Sequence, residues 1–315
     1  MKKLKIIFLG TPDFAAGILD AILKNNFDVA AVVTVADKPA GRGQQLRFSA
    51  VKEFALAHNI PILQPTNLKD ESFLRELRSF NANLQVVVAF RMLPRAVWEM
   101  PEFGTFNLHA SLLPDYRGAA PINWAIINGD IKTGVTTFFI DDKIDTGAMI
   151  LSRETSILLS DNAENLHDKL MELGAKTVVE TLNLIASDKV ATTIQAESTM
   201  LRTAHKLSKE NCKIDWKLKG IDIYNHVRGL SPFPTAWTTI IDREKEWIVK
   251  IEQVTFENEM HTLNIGKIIT TKKTIKVAVQ DGFISLLLLQ FPAKKKLSAD
   301  ALLNGMHFSE TATAI

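Results

Sequence analysis

The stretch Lys5–Val35, KIIFLGTPDFAAGILDAILKNNFDVAAVVTV, decides the fold. KIIFLG is a continuous apolar run of strand length, and DVAAVVTV (Asp28–Val35) is a second. Between them, Pro12 to about Asn25 reads as a helix, with Pro12 suited to its first turn. Working outward, a helix is expected around Ala50–His58, a short PILQP segment next, a helix around Asp70–Phe80, and a strand over NLQVVVAF (Asn83–Phe90). Strands that alternate with helices build a parallel sheet wound on both sides. Val-rich strands with no polar alternation fit burial on both faces. The expected class is α/β, a doubly wound, mostly parallel, Rossmann-like sheet. The start, MKKLKIIFLG, has a basic end before an apolar run, but the run is too short for a signal peptide and reads as the first strand.

Further along, Asp161–Ser187 is expected to form a long amphipathic helix. KVATTIQAESTMLRTAHKLSKENC is rich in Thr, Ser and Lys and reads as a linker crossing the surface. GIDIYNHVRGL (Gly220–Leu230) is a short helix ended by Gly229, and the short runs AWTTII, EWIVKIEQVTF, LNIGKIITT, TIKVAVQ and FISLLLLQFP suggest a small β-barrel. The 315 residues therefore divide at 1–189, a linker at 190–207, and an OB-like barrel domain at 208–315. The longest apolar run, Ile284–Leu289, is too short to span a bilayer, so no membrane partner is expected. Cys212 is the only cysteine, which rules out an intramolecular disulfide and suits a reducing, cytoplasmic location. From Lys206 onward there are 16 Lys+Arg against 12 Asp+Glu, a basic bias compatible with an anionic partner or with a solvated basic face.

The chemistry concentrates in Phe106–Gly147, FNLHASLLPDYRGAAPINWAIINGDIKTGVTTFFIDDKIDTG. In a strand over Phe106–Ala110, Asn107 and His109 leave the same face. TGVTTFFID is a second strand that delivers Asp145 just past its carboxyl end. Ligands of open α/β sheets bind outside the carboxyl ends of strands. Gly10–Pro12, Phe90–Met92, Asn107–Leu113 and Asp141–Gly147 all read as following such ends, which predicts one crevice. GTPDFA lacks the G-x-G-x-x-G fingerprint, so a dinucleotide is a poor occupant. An amide donor, an imidazole and a carboxylate suit acyl transfer: donors for a developing oxyanion, and a group that orients or deprotonates. Taken singly, each of the three also reads as an ordinary turn-capping or structural residue.

The Asn-x-His pair, the SLLPxxxGxxP loop and the Asp-Thr-Gly together resemble the formyltransferases that use 10-formyltetrahydrofolate. KPAGRG (Lys38–Gly43) and the part beginning near KLSKENCKIDW narrow the likeness to the branch acting on methionyl-tRNA. The resemblance covers nearly the whole chain. It implies that residues 1–189 are catalytic and 208–315 bind tRNA. The implied reaction moves a formyl group from 10-formyltetrahydrofolate, a co-substrate, to the methionine amine of initiator methionyl-tRNA, the product serving translation initiation. It carries over Asn107, His109 and Asp145 as catalytic, with Asn107 and protonated His109 facing the oxyanion. Folate is expected along Ser111, Leu112, Leu113 and Pro114, with its pterin lined by Phe90, Arg91, Met92, Asp141 and Ile144. Here the chain departs from the commoner pattern: FRMLP replaces a longer uncharged Tyr-Gly segment, so Arg91 would meet the folate's glutamate tail or nothing.

The same likeness sends the Lys38–Gly43 loop into the acceptor stem, with Arg42 as the key contact and Lys38 beside it. Lys206 and Lys209 would contribute to salt-sensitive backbone contacts. Trp216, Trp237 and Trp247 read as core residues before base-stacking ones. No metal is needed, since His, Asp and Asn here make no convincing ligand set. No DNA is expected as a partner, and a monomer is expected. A small-amine formyltransferase, a formyltetrahydrofolate hydrolase and a non-catalytic RNA-binding protein are the rival readings.

Overall fold

The computed structural model describes residues 2–40, 45–196 and 200–315. The chain packs as two compact units. The first comprises Met1–Gly118, Thr133–Thr155 and His167–Thr203, and the second Ala119–Lys132, Ser156–Leu166 and Ala204–Ile315.

The first unit opens with β1 (Lys5–Gly10), α1 (Asp13–Lys24) and β2 (Asp28–Val33), the strand–helix–strand read from the sequence. Pro12 stands one place before the expected first turn, as the N-cap in extended conformation. The segment Lys38–Arg47, expected as loop, holds a short antiparallel hairpin of β3 (Lys38–Ala40) and β4 (Gln45–Arg47). Then come α2 (Ala50–Ala57), β5 (Ile62–Leu63), α3 (Glu71–Ser79) and β6 (Leu84–Val88). Ser49 caps α2 by accepting from Lys52 N, and the Asp70 carboxylate caps α3 by accepting from Ser72 N and Phe73 N. Caps of this kind stabilise a helix end by about 1 kcal/mol each. α4 (Arg95–Trp98) and β7 (Thr105–His109) follow.

The sheet is completed by β8, two residues at Arg117–Gly118 outside it, then β9 (Lys132–Phe139) and β10 (Met149–Ser156) within it. Its order is β10-β9-β7-β6-β1-β2-β5. The pairs β5–β2, β2–β1, β1–β6 and β6–β7 are all parallel. β9 runs antiparallel to β7, with Phe139 opposite Phe106 and Thr136 opposite His109. All five residues of β6 are buried, as a doubly covered strand requires. On one face, Ile7, Leu9 and Val87 pack with Leu74 and Leu77 of α3 and Val97 of α4, and Phe90 and Ile140 close over the same cluster. The segments after β6 and after β9 thus converge on one apolar base. α5 (Pro121–Ile127) belongs to the second unit, and the long helix α6 (Ala163–Ala186) follows β10.

The second unit contains α5, β11 (Thr203–Ala204) at its entrance, and α7 (Gly220–Gly229). Its sheet is formed by β12 (Ala236–Asp242), β13 (Lys245–Asn258), β14 (Ile268–Thr270), β15 (Ile275–Val279), β16 (Gly282–Gln290), β17 (Leu297–Ser298) and β18 (Thr313–Ala314), with α8 (Ala299–Leu303) between the last two. The path β14-β15-β16-β13-β12-β18 is antiparallel. Ala314 N donates to Gly266 O (2.8 Å) and Ile268 N to Ala312 O (3.0 Å), which joins the two edges and nearly closes a barrel. Closure removes free strand edges, the reason small antiparallel sheets curl. Trp216 is buried with its indole N–H on Thr238 Oγ1 (2.8 Å), while Trp237 and Trp247 are half-buried against the same core. The expected α/β sheet and small β-barrel are what the chain forms, the barrel being antiparallel. Among the described residues, no helix is long and apolar enough to cross a membrane.

Candidate active site

The structure brings Asp145 against His109, two residues along β7 from Asn107, but by a route that differs from the sequence reading in one respect. Because β9 is antiparallel to β7, its carboxyl end lies beside the amino end of β7, three residues (roughly 10 Å) from the level of His109. The Asp141–Gly147 segment therefore does not share a carboxyl edge with the others. It closes the gap by its own fold. Asp141 Oδ1 accepts from Lys143 N (3.0 Å) and from Thr146 Oγ1 (2.7 Å), which curls the loop on itself. Asp145 then adopts a left-handed backbone (φ 56°), a conformation that Asp tolerates better than most residues. Its carboxylate Oδ2 lies 3.8 Å from His109 Nδ1 and accepts from Gly118 N (2.9 Å).

His109 is buried, and its Nε2 lies 2.8 Å from the Tyr116 carbonyl. A carbonyl only accepts, so Nε2 carries the hydrogen. Nδ1 is left as the edge turned to Asp145. Asn107 sits two residues earlier in β7, half-buried, and among the described residues no hydrogen bond of its amide is recorded. The site thus holds one imidazole edge and one carboxamide available to a bound molecule, beside a carboxylate.

The loop Ser111–Pro114 is held from β9. Thr136 Oγ1 donates to Ser111 O (2.8 Å) and accepts from Leu113 N (3.2 Å). The Ser111 hydroxyl is buried and donates to Asp115 O (2.7 Å), so this side chain shapes the loop. Leu113 is buried and Leu112 half-buried, with a cis bond between Leu113 and Pro114. After β6, Ala89 turns the chain in the left-handed region (φ 47°) into Phe90, Arg91 and Met92. Arg91 donates to Thr66 O (3.1 Å) and to Pro65 O, which ties the departed FRMLP segment to the neighbouring loop. Met92 (65% exposed) and Ile144 (61%) hold large apolar side chains in solvent, one on each of the two segments.

Sequence reasoning passed over the groups that hold His109 and Asp145: the Tyr116 carbonyl, the Gly118 amide and Gln195. The first two lie inside the quoted SLLPDYRG loop but act through the backbone, which no side-chain motif reports. Gln195 belongs to the stretch read as a linker. There Thr193 exchanges backbone hydrogen bonds with Met149 (2.8 and 2.9 Å), and Gln195 is buried. Of the tRNA candidates, Arg42 lies outside the described residues, and Lys38 is placed by its backbone in β3. Lys206 and Lys209, in the second unit, are exposed, and the Lys209 ammonium lies 5.4 Å from the Trp237 ring centre. Among the described residues, no group of three or more His, Cys, Asp or Glu is arranged to hold a metal.

Comparison with known proteins identifies the family of the chain. The family model described as "Formyl transferase" matches residues 4–182, and "Formyl transferase, C-terminal domain" matches 206–307. A methionyl-tRNA formyltransferase of Flavobacterium johnsoniae is 62% identical over 312 residues, 99% of each chain. One of Bacteroides thetaiotaomicron is 51% identical over 98% of each. Among solved structures, WlaRD, a sugar 3N-formyl transferase, superposes with TM-score 0.66 at 21% identity, over 94% of this chain and all of that one. HypX from Aquifex aeolicus, in complex with tetrahydrofolic acid, superposes with TM-score 0.64 at 17% identity, over 96% of this chain and 47% of that one. Those two likenesses establish a shared fold. Matched over 99% and 98% of its length by these relatives, and over residues 4–182 and 206–307 by the two family models, the chain belongs to the formyltransferase family, in its methionyl-tRNA formyltransferase branch.

Proposed function

We propose that this chain transfers a formyl group from 10-formyltetrahydrofolate to the methionine amine of initiator methionyl-tRNA, in the cytoplasm, with Asn107, His109 and Asp145 as its catalytic residues. The observation that carries the reaction is the 62% identity over 99% of both chains with an enzyme of that name. The geometry of the site supports the residue roles.

The neutral amine bonds to the formyl carbon, and the carbonyl electrons move onto oxygen. Asn107 supplies an N–H to that oxyanion. His109 Nε2–H is committed to Tyr116, so its contribution is Nδ1–H, which exists only in the imidazolium form. The tetrahedral intermediate collapses as the bond from carbon to the folate nitrogen breaks. The amine gives up one proton, which the Asp145 carboxylate takes directly or through a water, and the folate nitrogen gains one. No covalent enzyme intermediate is required.

Folate is placed against Ser111–Pro114, with its pterin between Phe90–Met92 and Asp141–Ile144. The exposed Met92 and Ile144 support an apolar aromatic guest there. Initiator tRNA is engaged by Lys38 and Arg42 at the acceptor stem, and by Lys206 and Lys209 through phosphates. Formyl transfer to charged initiator tRNA, run beside elongator methionyl-tRNA and free methionine, tests the reading. Transfer to the initiator alone is expected. No transfer to any tRNA, with folate still bound, would return the question to small amines.

A further inference from the structure

Gln195 lies between the regions covered by the two family models, in a stretch whose composition suggests only a tether. Its side chain is buried, and every hydrogen-bonding group on it is used in one direction. Nε2 donates to Asp145 O (2.9 Å) and to Gly147 O (2.8 Å). Oε1 accepts from Arg117 Nε (3.0 Å) and Nη2 (2.6 Å). The amide cannot be reversed, because its oxygen would then face two carbonyls and its NH₂ a guanidinium.

These bonds close a circuit. Arg117 is flanked by Tyr116, whose carbonyl orients His109, and by Gly118, whose N–H holds the Asp145 carboxylate. Gln195 joins that three-residue segment to the backbone on either side of Thr146. The carboxylate is thus fixed from its side chain by Gly118 and from its main chain by Gln195. An Asp on a left-handed turn needs such support to stay in one place.

We propose that Gln195, clamped by Arg117, is a positioning residue for the transfer reaction: it sets the Asp145 carboxylate against His109 without touching either substrate. The proposal rests on the reading of Asp145 as catalytic. It predicts a chemical signature that packing alone would not give. A residue acting through Asp145 alters kcat and leaves substrate binding nearly unchanged, and its effect vanishes once Asp145 is disabled. The requirement is for an amide. Glutamate has the same length and could pair with Arg117, but as a carboxylate it donates to neither carbonyl.

The test measures kcat, KM for each substrate and thermal midpoint for the full chain carrying Gln195→Met, Gln195→Glu, Asp145→Asn, and Gln195→Met with Asp145→Asn. Single-turnover time courses extend the range for slow variants. Gln195→Met and Gln195→Glu should each lower kcat by about 10²-fold, the scale of an ångström-sized misplacement, with both KM values within about twofold. Adding Gln195→Met to Asp145→Asn should cost nothing further. Gln195→Glu, nearly isosteric, keeps the test valid if Gln195→Met folds poorly. An impaired Asp145→Asn beside a near-normal kcat in both Gln195 variants would overturn this proposal alone, as would effects that multiply in the double variant. An Asp145→Asn enzyme of full activity would overturn the site reading and this proposal with it.

Discussion

Gly147→Ala puts the loop geometry to a quantitative test. Gly147 is buried where the chain leaves the Asp141–Gly147 loop for β10, and its carbonyl is one of the two that Gln195 holds. A Cβ added there would meet the Phe139 carbonyl oxygen at 1.7 Å and its carbon at 2.9 Å. Real Cβ atoms stop at about 3.0 Å, so the backbone must move by roughly 1.3 Å. Phe139 is anchored in β9 opposite Phe106, and the loop is the part that can yield. Asp145 is two residues away, and a shift of that size should move its carboxylate off His109. A misplacement near 1 Å costs about 10² in rate, and backbone overpacking costs about 1–3 kcal/mol in stability. Steady-state formyl transfer and thermal melting by circular dichroism measure both. Gly305→Ala is the matched control, since nothing lies within 4 Å of a Cβ there. If Gly147→Ala kept kcat within about twofold of the parent, Asp145 would not need its observed position and the mechanism would be wrong.

Removal of either proposed oxyanion donor, Asn107→Ala or His109→Ala, should lower kcat by about 10²–10³-fold in single-turnover assays, with folate still bound. His226 on α7 makes stability depend on pH. Burial pushes its imidazole below the ordinary value, partly offset by a hydrogen bond with the Cys212 backbone, and its Nε2 has no partner among the described residues. The unfolded chain takes up a proton below about pH 6.5 that the fold refuses until lower pH, so stability is full above that value and declines as pH falls from it. The thermal midpoint should therefore drop between about pH 7.5 and 5.5, and His226→Phe should shrink that drop. Lys206→Ala with Lys209→Ala should flatten the salt dependence of tRNA binding by about 0.7–0.9 per lost phosphate contact. Arg42→Ala should raise KM for tRNA and leave KM for folate unchanged.

The parallel sheet was legible because its strands are uninterrupted apolar runs separated by segments of helical length. The Asn107–His109 pair was legible because a strand's two-residue period puts both on one face wherever the strand goes. The hairpin at Lys38–Arg47 was missed because only three residues pair on each side, too few to show a period among Gly, Pro and polar residues. The direction of β9 was missed for a different reason. Apolar content reports that a strand is buried, and says nothing about which way it runs beside a strand nearly thirty residues earlier.

By itself, then, the sequence determined the α/β class, the small β-barrel, and which imidazole, carboxamide and carboxylate were candidates. These depend on apolar runs, periodicity and short motifs, which are local. The tertiary structure alone decided that His109 spends Nε2 on Tyr116, that Asp145 arrives from the far end of β9, that Arg91 turns to the Pro65–Thr66 carbonyls, and that a glutamine from the supposed tether holds the loop. Each rests on hydrogen bonds outside any helix or strand period, most of them made to backbone groups that every residue carries. Only the folded chain selects which of those identical groups come within 3 Å.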